Sequence, residues 1–189
     1  MLAGFKIMML SDKTIREYID SGKILILPEF EVKNIRPAGV RMHLGSELLV
    51  PKENKVVDFE GSAEELFDKV IIPEQGYVLK PGAFVLGSTY ERFQVPRNVV
   101  CHIEGRSTMA RLGMAIHCTS GIVDGNYEEP KTVVLEIKNQ SPFDLVLKFK
   151  LAVAMVTFSE LTSDINQAAQ HQYKGQSGVV APNLKLQKE

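Results

Sequence analysis

Glu104-Gly105-Arg106-Ser107-Thr108-Met109-Ala110-Arg111-Leu112-Gly113 opens the stretch around which the chain is organised, and Thr132-Val133-Val134-Leu135-Glu136-Ile137 closes it. Between them lies a Gly-flanked turn, Gly121-Ile122-Val123-Asp124-Gly125-Asn126-Tyr127. The opening segment sets Arg106, Ser107 and Arg111 between Gly105 and Gly113. Two guanidiniums, a hydroxyl and the free N–H groups of a tight turn suit several phosphate oxygens. Arg serves better than Lys here because its planar fork grips two oxygens at once. The closing segment is an apolar, strand-like run interrupted by Glu136. A carboxylate among Val133, Val134, Leu135 and Ile137 is costly to bury unless it is paired or used. Each residue alone has a bland reading: surface ion pairs for the arginines, a helix cap for Ser107, a turn former for Asp124, a solvent-facing strand position for Glu136. Gathered in so short a span, they read as a site.

Outward from this stretch the chain is punctuated by Pro and Gly. Ser11 and Asp12 start a short helix with Ile15, Tyr18 and Ile19 on one face, and Gly22 stops it. Lys23 to Leu27 reads as a strand ended by Pro28. Val40, Met42 and Leu44 alternate with Arg41 and His43, which predicts a half-buried strand with His43 exposed. Glu47 to Val50 is the next strand. Asp58 to Lys69 is acidic and weakly helical, an excursion on the surface. Short strands then follow at Val70 to Ile72, Tyr77 to Leu79, Ala83 to Thr89, Val99 to Ile103, Thr132 to Ile137, Leu145 to Lys148 and Val153 to Phe158. Lys80-Pro81-Gly82 is a tight turn. Many short strands between regular turn signals predict an antiparallel sandwich or barrel. The segment after Leu161 is polar, with Gly175 and Gly178 around Gln176. It reads either as a loose terminus or as a flap whose Gln176 amide meets a base edge.

The chain has 189 residues, enough for one domain with a tail. Hydrophobic residues are 44% and charged residues 24%, so an ordinary soluble core is expected. The net charge of -1 gives no basic field, and no basic-aromatic stripe is present, so nucleic acid is not an expected partner. No apolar run reaches the roughly 18 residues of a membrane span, and Met1 to Met9 lacks the features of a signal peptide. A cytoplasmic protein is expected. Cys101 and Cys118 are too few for a disulfide framework and read as packed thiols. Zinc-dependent nucleotide deaminases need an H-x-E and a P-C-x-x-C pattern, and neither occurs. His43, His102, His117 and His171 lack ligand-like spacing, so no zinc site is expected.

Over nearly its whole length the chain resembles dCTP deaminases and, more distantly, trimeric dUTPases. The resemblance rests on Met9-Leu10-Ser11-Asp12, Leu79-Lys80-Pro81-Gly82-Ala83-Phe84-Val85-Leu86, Tyr90-Glu91-Arg92, Val134-Leu135-Glu136 and Tyr173-Lys174-Gly175-Gln176-Ser177-Gly178. Its most specific piece is Gly105 to Gly113. It implies a mainly β fold, a distorted barrel or jelly-roll-like β-clip of the dUTPase type, over residues 1–161. A short helix would lead it, and the tail 162–189 would close over a nucleotide. It implies a homotrimer with active sites between subunits. Arg106, Ser107 and Arg111, with Thr108, Met109 and Ala110 around them, would bind the triphosphate, with Mg2+ carried on the phosphates. Glu136 would be the general base and acid, and Asp124 would lie at the sugar or a catalytic water. Tyr127, Val134, Leu135 and Gln176 would complete the nucleotide site. One carboxylate can shuttle both protons of a cytosine deamination when its pKa suits the working pH.

The stretch also departs from the family pattern. Arg41 stands where Asp is usual, His43 where Arg is usual and Ser120 where Ala is usual. Gly125-Asn126 replaces a Pro-Gly pair, Phe149-Lys150 replaces a Pro-Gly turn, and Gln172 replaces a common Lys. Glu136 favours deamination of dCTP to dUTP and ammonia. Asp124 with Tyr127 favours a dUTP pyrophosphatase, or a bifunctional enzyme giving dUMP. Arg41 and Ser120 favour a third reading, a catalytically silent nucleotide-binding trimer.

Overall fold

The computed structural model describes residues 8–28, 30–59, 63–166, 173 and 177–184. Ser11 caps the first helix, Asp12–Asp20, by accepting a hydrogen bond from the Thr14 N–H. Ile15 is its buried residue, and Gly22 ends it with φ at 73°. The rest is mainly β. A six-stranded antiparallel sheet runs in the order Ile122–Val123, Val99–Gly105, Ala152–Glu160, Gly39–His43, Ile35–Arg36, with Met8–Met9 also paired to Ala152–Glu160. A five-stranded sheet runs Met114–Ala115, Val134–Asn139, Phe84–Ser88, Glu47–Pro51, Phe67–Ile71. Two ribbons, Tyr77–Leu79 with Leu145–Leu147 and Leu25–Leu27 with Arg92–Gln94, flank them.

Alternation along the strands explains the layering. Val40, Met42, Cys101, Ile103, Ala154, Val156 and Phe158 of the first sheet are buried in one cluster with Leu48, Val85, Leu135 and Ile137 of the second. The sheets meet at a corner where the Tyr90 N–H donates to the His43 carbonyl at 2.7 Å and the Gly45 N–H to the Ser88 carbonyl at 2.8 Å. A register shift between Ala152 and Ala154 bends the central strand. This is the mainly β, distorted two-sheet architecture expected. Residues 177–184 lie against the second sheet, where Val179 is buried with Leu49 and Leu86.

Three expectations need correction. Asp58 to Lys69 is not a helical excursion: Glu64–Leu66 makes one 3-10 turn, and Phe67 already begins the edge strand. His43 is not exposed, because its ring bonds Glu91 at 2.5 Å and its N–H donates to the same buried carboxylate at 2.8 Å. That partner lies far away in sequence, so no local pattern announces it. Cys101 is packed, but Cys118 is exposed, since its loop runs over the rim of the second sheet.

Phe158 is fully buried, with its ring edge-on to Phe93 at 6.4 Å between centroids. Phe158→Ala is expected to lower stability by about 3–5 kcal/mol, read as a lower urea midpoint at unchanged slope. A loss below about 1 kcal/mol would contradict this account of the core.

Candidate active site

Glu136 lies on Val134–Asn139, where alternate residues are buried. Leu135 and Ile137 point into the core, so they do not enclose the carboxylate, whatever their proximity in sequence. Val134 and Glu136 face the other way, toward a cavity of ≈ 420 Å³. One loop fixes Glu136 twice. Its N–H donates to the Ile116 carbonyl at 3.0 Å, and its Oε2 accepts the Cys118 N–H at 2.7 Å. One carboxylate oxygen is therefore held at a set angle. The Cys118 thiol is pushed up in pKa by burial and then by the Glu136 charge, with Lys138 opposing.

Asp124 and Ser120 line the same cavity, with Leu86, Ile122, Val123 and Val134 as its apolar wall. The Asp124 loop is clamped by two residues that the sequence did not single out as binding. Asn126 is buried, and its amide donates to the Phe93 carbonyl at 2.8 Å and to the Lys131 carbonyl at 3.1 Å. Lys131 Nζ donates to the Gly125 carbonyl at 3.2 Å. Neither had a signal beyond an Asn following a turn glycine. Tyr127 is buried against the core, not on the cavity wall. Burial, then Cys101 and Asp124, raise the pKa of its phenol. Leu135, fully buried, can offer a ligand only its backbone. From the tail, Tyr173, Val180 and Pro182 line the cavity, and Thr132 Oγ1 donates to the Gly178 carbonyl at 3.0 Å. Gln176 lies outside the described residues.

The arginine turn stands apart. Ser107–Arg111 is a short helix with Arg106 as its N-cap residue, and Gly113, at φ 76°, turns the chain away. A Cβ on Gly113 would meet Ser141 at 2.8 Å, which leaves room for glycine alone. Arg106, Ser107 and Thr108 line a second cavity of ≈ 270 Å³ with Arg36, Arg41, Gly105, Ala154 and Met155. The Arg106 guanidinium donates to the Ala152 carbonyl at 2.6 Å. Met109 packs partly on the core, while Ala110 and Arg111 are exposed. Within one chain, Glu136, Asp124 and Val134 thus come together, Arg106, Ser107 and Thr108 come together, and the two cavities share no lining residue.

A family model described as dCTP deaminase-like matches residues 9–161. The chain is 32% identical to a dCTP deaminase of Natronomonas pharaonis over 96% of this chain and 97% of that protein. It is also 32% identical to a dUMP-forming dCTP deaminase of Methanosphaera stadtmanae, over 94% of each chain. A 36% match over 82% of this chain and 81% of the other is to a dUMP-forming dCTP deaminase of Methanobrevibacter smithii. The crystal structure of 2'-deoxycytidine 5'-triphosphate deaminase from Agrobacterium tumefaciens shares the fold at a TM-score of 0.63 and 19% identity. That alignment covers 82% of this chain and 49% of the Agrobacterium chain. On the family match and these relatives, the chain belongs to the dCTP deaminase-like family.

Proposed function

We propose that the chain hydrolytically deaminates dCTP to dUTP and ammonia, without zinc, in the cytoplasmic pyrimidine deoxynucleotide pool. The observation that carries this reading is the Glu136 carboxylate, held by the Cys118 N–H on the wall of a cavity rich in apolar side chains. In this reading Glu136 takes a proton from water as the water oxygen bonds to C4 of cytosine. It delivers that proton to ring N3, then carries the proton of the new C4 hydroxyl to the exocyclic amine; C4=O forms as the exocyclic C4–N bond breaks, and ammonia departs. Val134, Leu86 and Ile122 exclude bulk water and seat the base.

Because the two cavities share no residue, one nucleotide touching both is proposed to bridge two copies, in a homotrimer with intersubunit sites. Arg106, Ser107 and Arg111 of one copy hold the triphosphate, with Thr108, Met109 and Ala110 shaping the turn. Asp124, Val134 and the tail with Gln176 are assigned to sugar and base, with Leu135 offering only its backbone and Tyr127 packed behind the wall. The lining of the arginine cavity contains no carboxylate, so its side chains suit an anion and not a cation. Mg2+, when present, is therefore assigned to the phosphate oxygens.

A second reading has its own support. Asp124 lines the same cavity as Glu136, and two of the relatives are named dUMP-forming. Asp124 would then take the proton of a second water attacking the α-phosphorus, with pyrophosphate leaving.

Incubation with dCTP and with dUTP separately, in Mg2+, is expected to give ammonia and dUTP from the first. Release of dUMP and pyrophosphate would establish the second reading, and absence of turnover with either would refute both. Glu136→Gln is expected to abolish ammonia release while nucleotide affinity, read by calorimetry, stays within about threefold. Retained turnover would refute its role. The charge of Glu136 is also readable through Cys118. Alkylation by iodoacetamide follows the thiolate, so its pH midpoint is expected above that of an ordinary thiol, with buried Cys101 unreactive. Glu136→Gln removes one cause of the shift and should lower the midpoint; an unmoved midpoint would contradict the contact.

A further inference from the structure

Arg36, Arg41 and Arg106 line one cavity, and among the described residues none of them pairs with a carboxylate. We propose that these three guanidiniums form a polyphosphate cradle that supplies its own positive charge and needs no divalent cation to hold the anion. The inference deepens the nucleotide reading of the Arg106 turn, adding Arg36 and Arg41 to it.

Strand register brings the three together. Arg41 lies opposite Met155 on the central strand, and Met155 lies opposite Glu104 on the strand that leads into Arg106. Arg36 lies opposite Gly39, two residues before Arg41 and on the same face. A Cβ at Gly39 would come within 2.5 Å of the Val156 carbonyl, so the bare glycine lets this edge close up. Glu104, the carboxylate in register with this row, lies 3.8 Å from His117 Nε2 and is not among the residues lining the cavity. Arg106 is fixed by a neutral partner, the Ala152 carbonyl, which leaves its charge uncompensated.

Like charges gathered without counterions raise the energy of the free protein. Burial, then Arg41 and Arg36, lower the pKa of the Arg106 guanidinium, as mutual repulsion requires. An oxyanion relieves that repulsion, and the hydroxyls of Ser107 and Thr108 at the rim can donate to it. The volume of ≈ 270 Å³ exceeds what one phosphate fills and suits a chain of phosphoryl groups. A carboxylate-free lining also offers nothing to a metal ion. The protein thus does with clustered guanidiniums, one of them held by the Ala152 carbonyl, what a divalent ion does for free triphosphates, neutralising adjacent oxygens.

The test uses inorganic tripolyphosphate, which has no base or sugar, titrated calorimetrically into the full chain in EDTA and in excess Mg2+. The expected result is binding in EDTA at least as tight as in Mg2+, because the metal cancels charge that the cradle reads. Arg41→Gln and Arg36→Gln should each weaken binding in EDTA by about tenfold, as for loss of a charged hydrogen bond. Circular dichroism and urea midpoints confirm folding, and Arg36, being exposed, gives the variant least coupled to the core. Arg41→Asp should invert the metal dependence, so that Mg2+ strengthens what EDTA weakens. Absence of tripolyphosphate binding in EDTA overturns the proposal, as does weakening below about threefold in both glutamine variants. Parallel turnover of dCTP separates the two readings. Tripolyphosphate binding without turnover keeps the cradle and removes the deaminase, and turnover with an unresponsive tripolyphosphate affinity does the reverse.

Discussion

The register of Ala152–Glu160 is the constraint on which the arrangement depends. This strand is paired on one side to Val99–Gly105 and on the other to Gly39–His43, and it takes Met8–Met9 at its far end. Past the shift, its alternate side chains Ala154, Val156 and Phe158 are fully buried in the core. A slip by one residue would turn them outward, so burial locks the pairing. Locked pairing then decides what stands beside Met155 on the outer face, and that is Arg41. At the bend between Ala152 and Ala154 a carbonyl is turned to the Arg106 guanidinium. The core and the cationic cavity are two faces of one register.

A parallel logic governs the acid. Strand alternation sends Leu135 and Ile137 inward and leaves Glu136 on the cavity side. Its orientation then comes from the Ile116–Cys118 loop, which bonds both its backbone and its side chain. Asp124 is carried by a different loop, clipped by Asn126 and Lys131. Hydrogen bonds to the backbone thus set both carboxylate-bearing segments in place on the cavity wall. The polar groups that do this positioning are satisfied, and buried amides so satisfied cost little.

Much of this was legible from residue order. Pro and Gly punctuation located most strands, the Ser11 cap located the helix, and the phosphate-suited turn and the lone glutamate were visible as chemistry. Periodicity failed where elements were too short to have a period, as at Ile35–Arg36 and Met114–Ala115. It failed again at Phe67, where acidic neighbours masked an edge strand. Apolar neighbours in sequence misled about the surroundings of Glu136, because adjacent strand residues face opposite ways. The His43 pairing with Glu91 and the gathering of Arg36, Arg41 and Arg106 are products of long-range register. Arg41 and Asn126 stand out in the sequence only as departures from a pattern; the fold places Arg41 in a cavity with Arg36 and Arg106, and bonds the Asn126 amide to the Phe93 carbonyl.

Leu86 belongs to two assemblies at once. Its side chain packs with Leu49 and Val179 where residues 177–184 rest on the sheet, and it also forms part of the wall facing Glu136. Seating of the terminal segment and occupancy of the hollow beneath it therefore draw on one hydrocarbon surface. By thermodynamic reciprocity, coupling through that surface has the same size in both directions. Residues 177–184 thus share one hydrocarbon face with the hollow that holds Glu136.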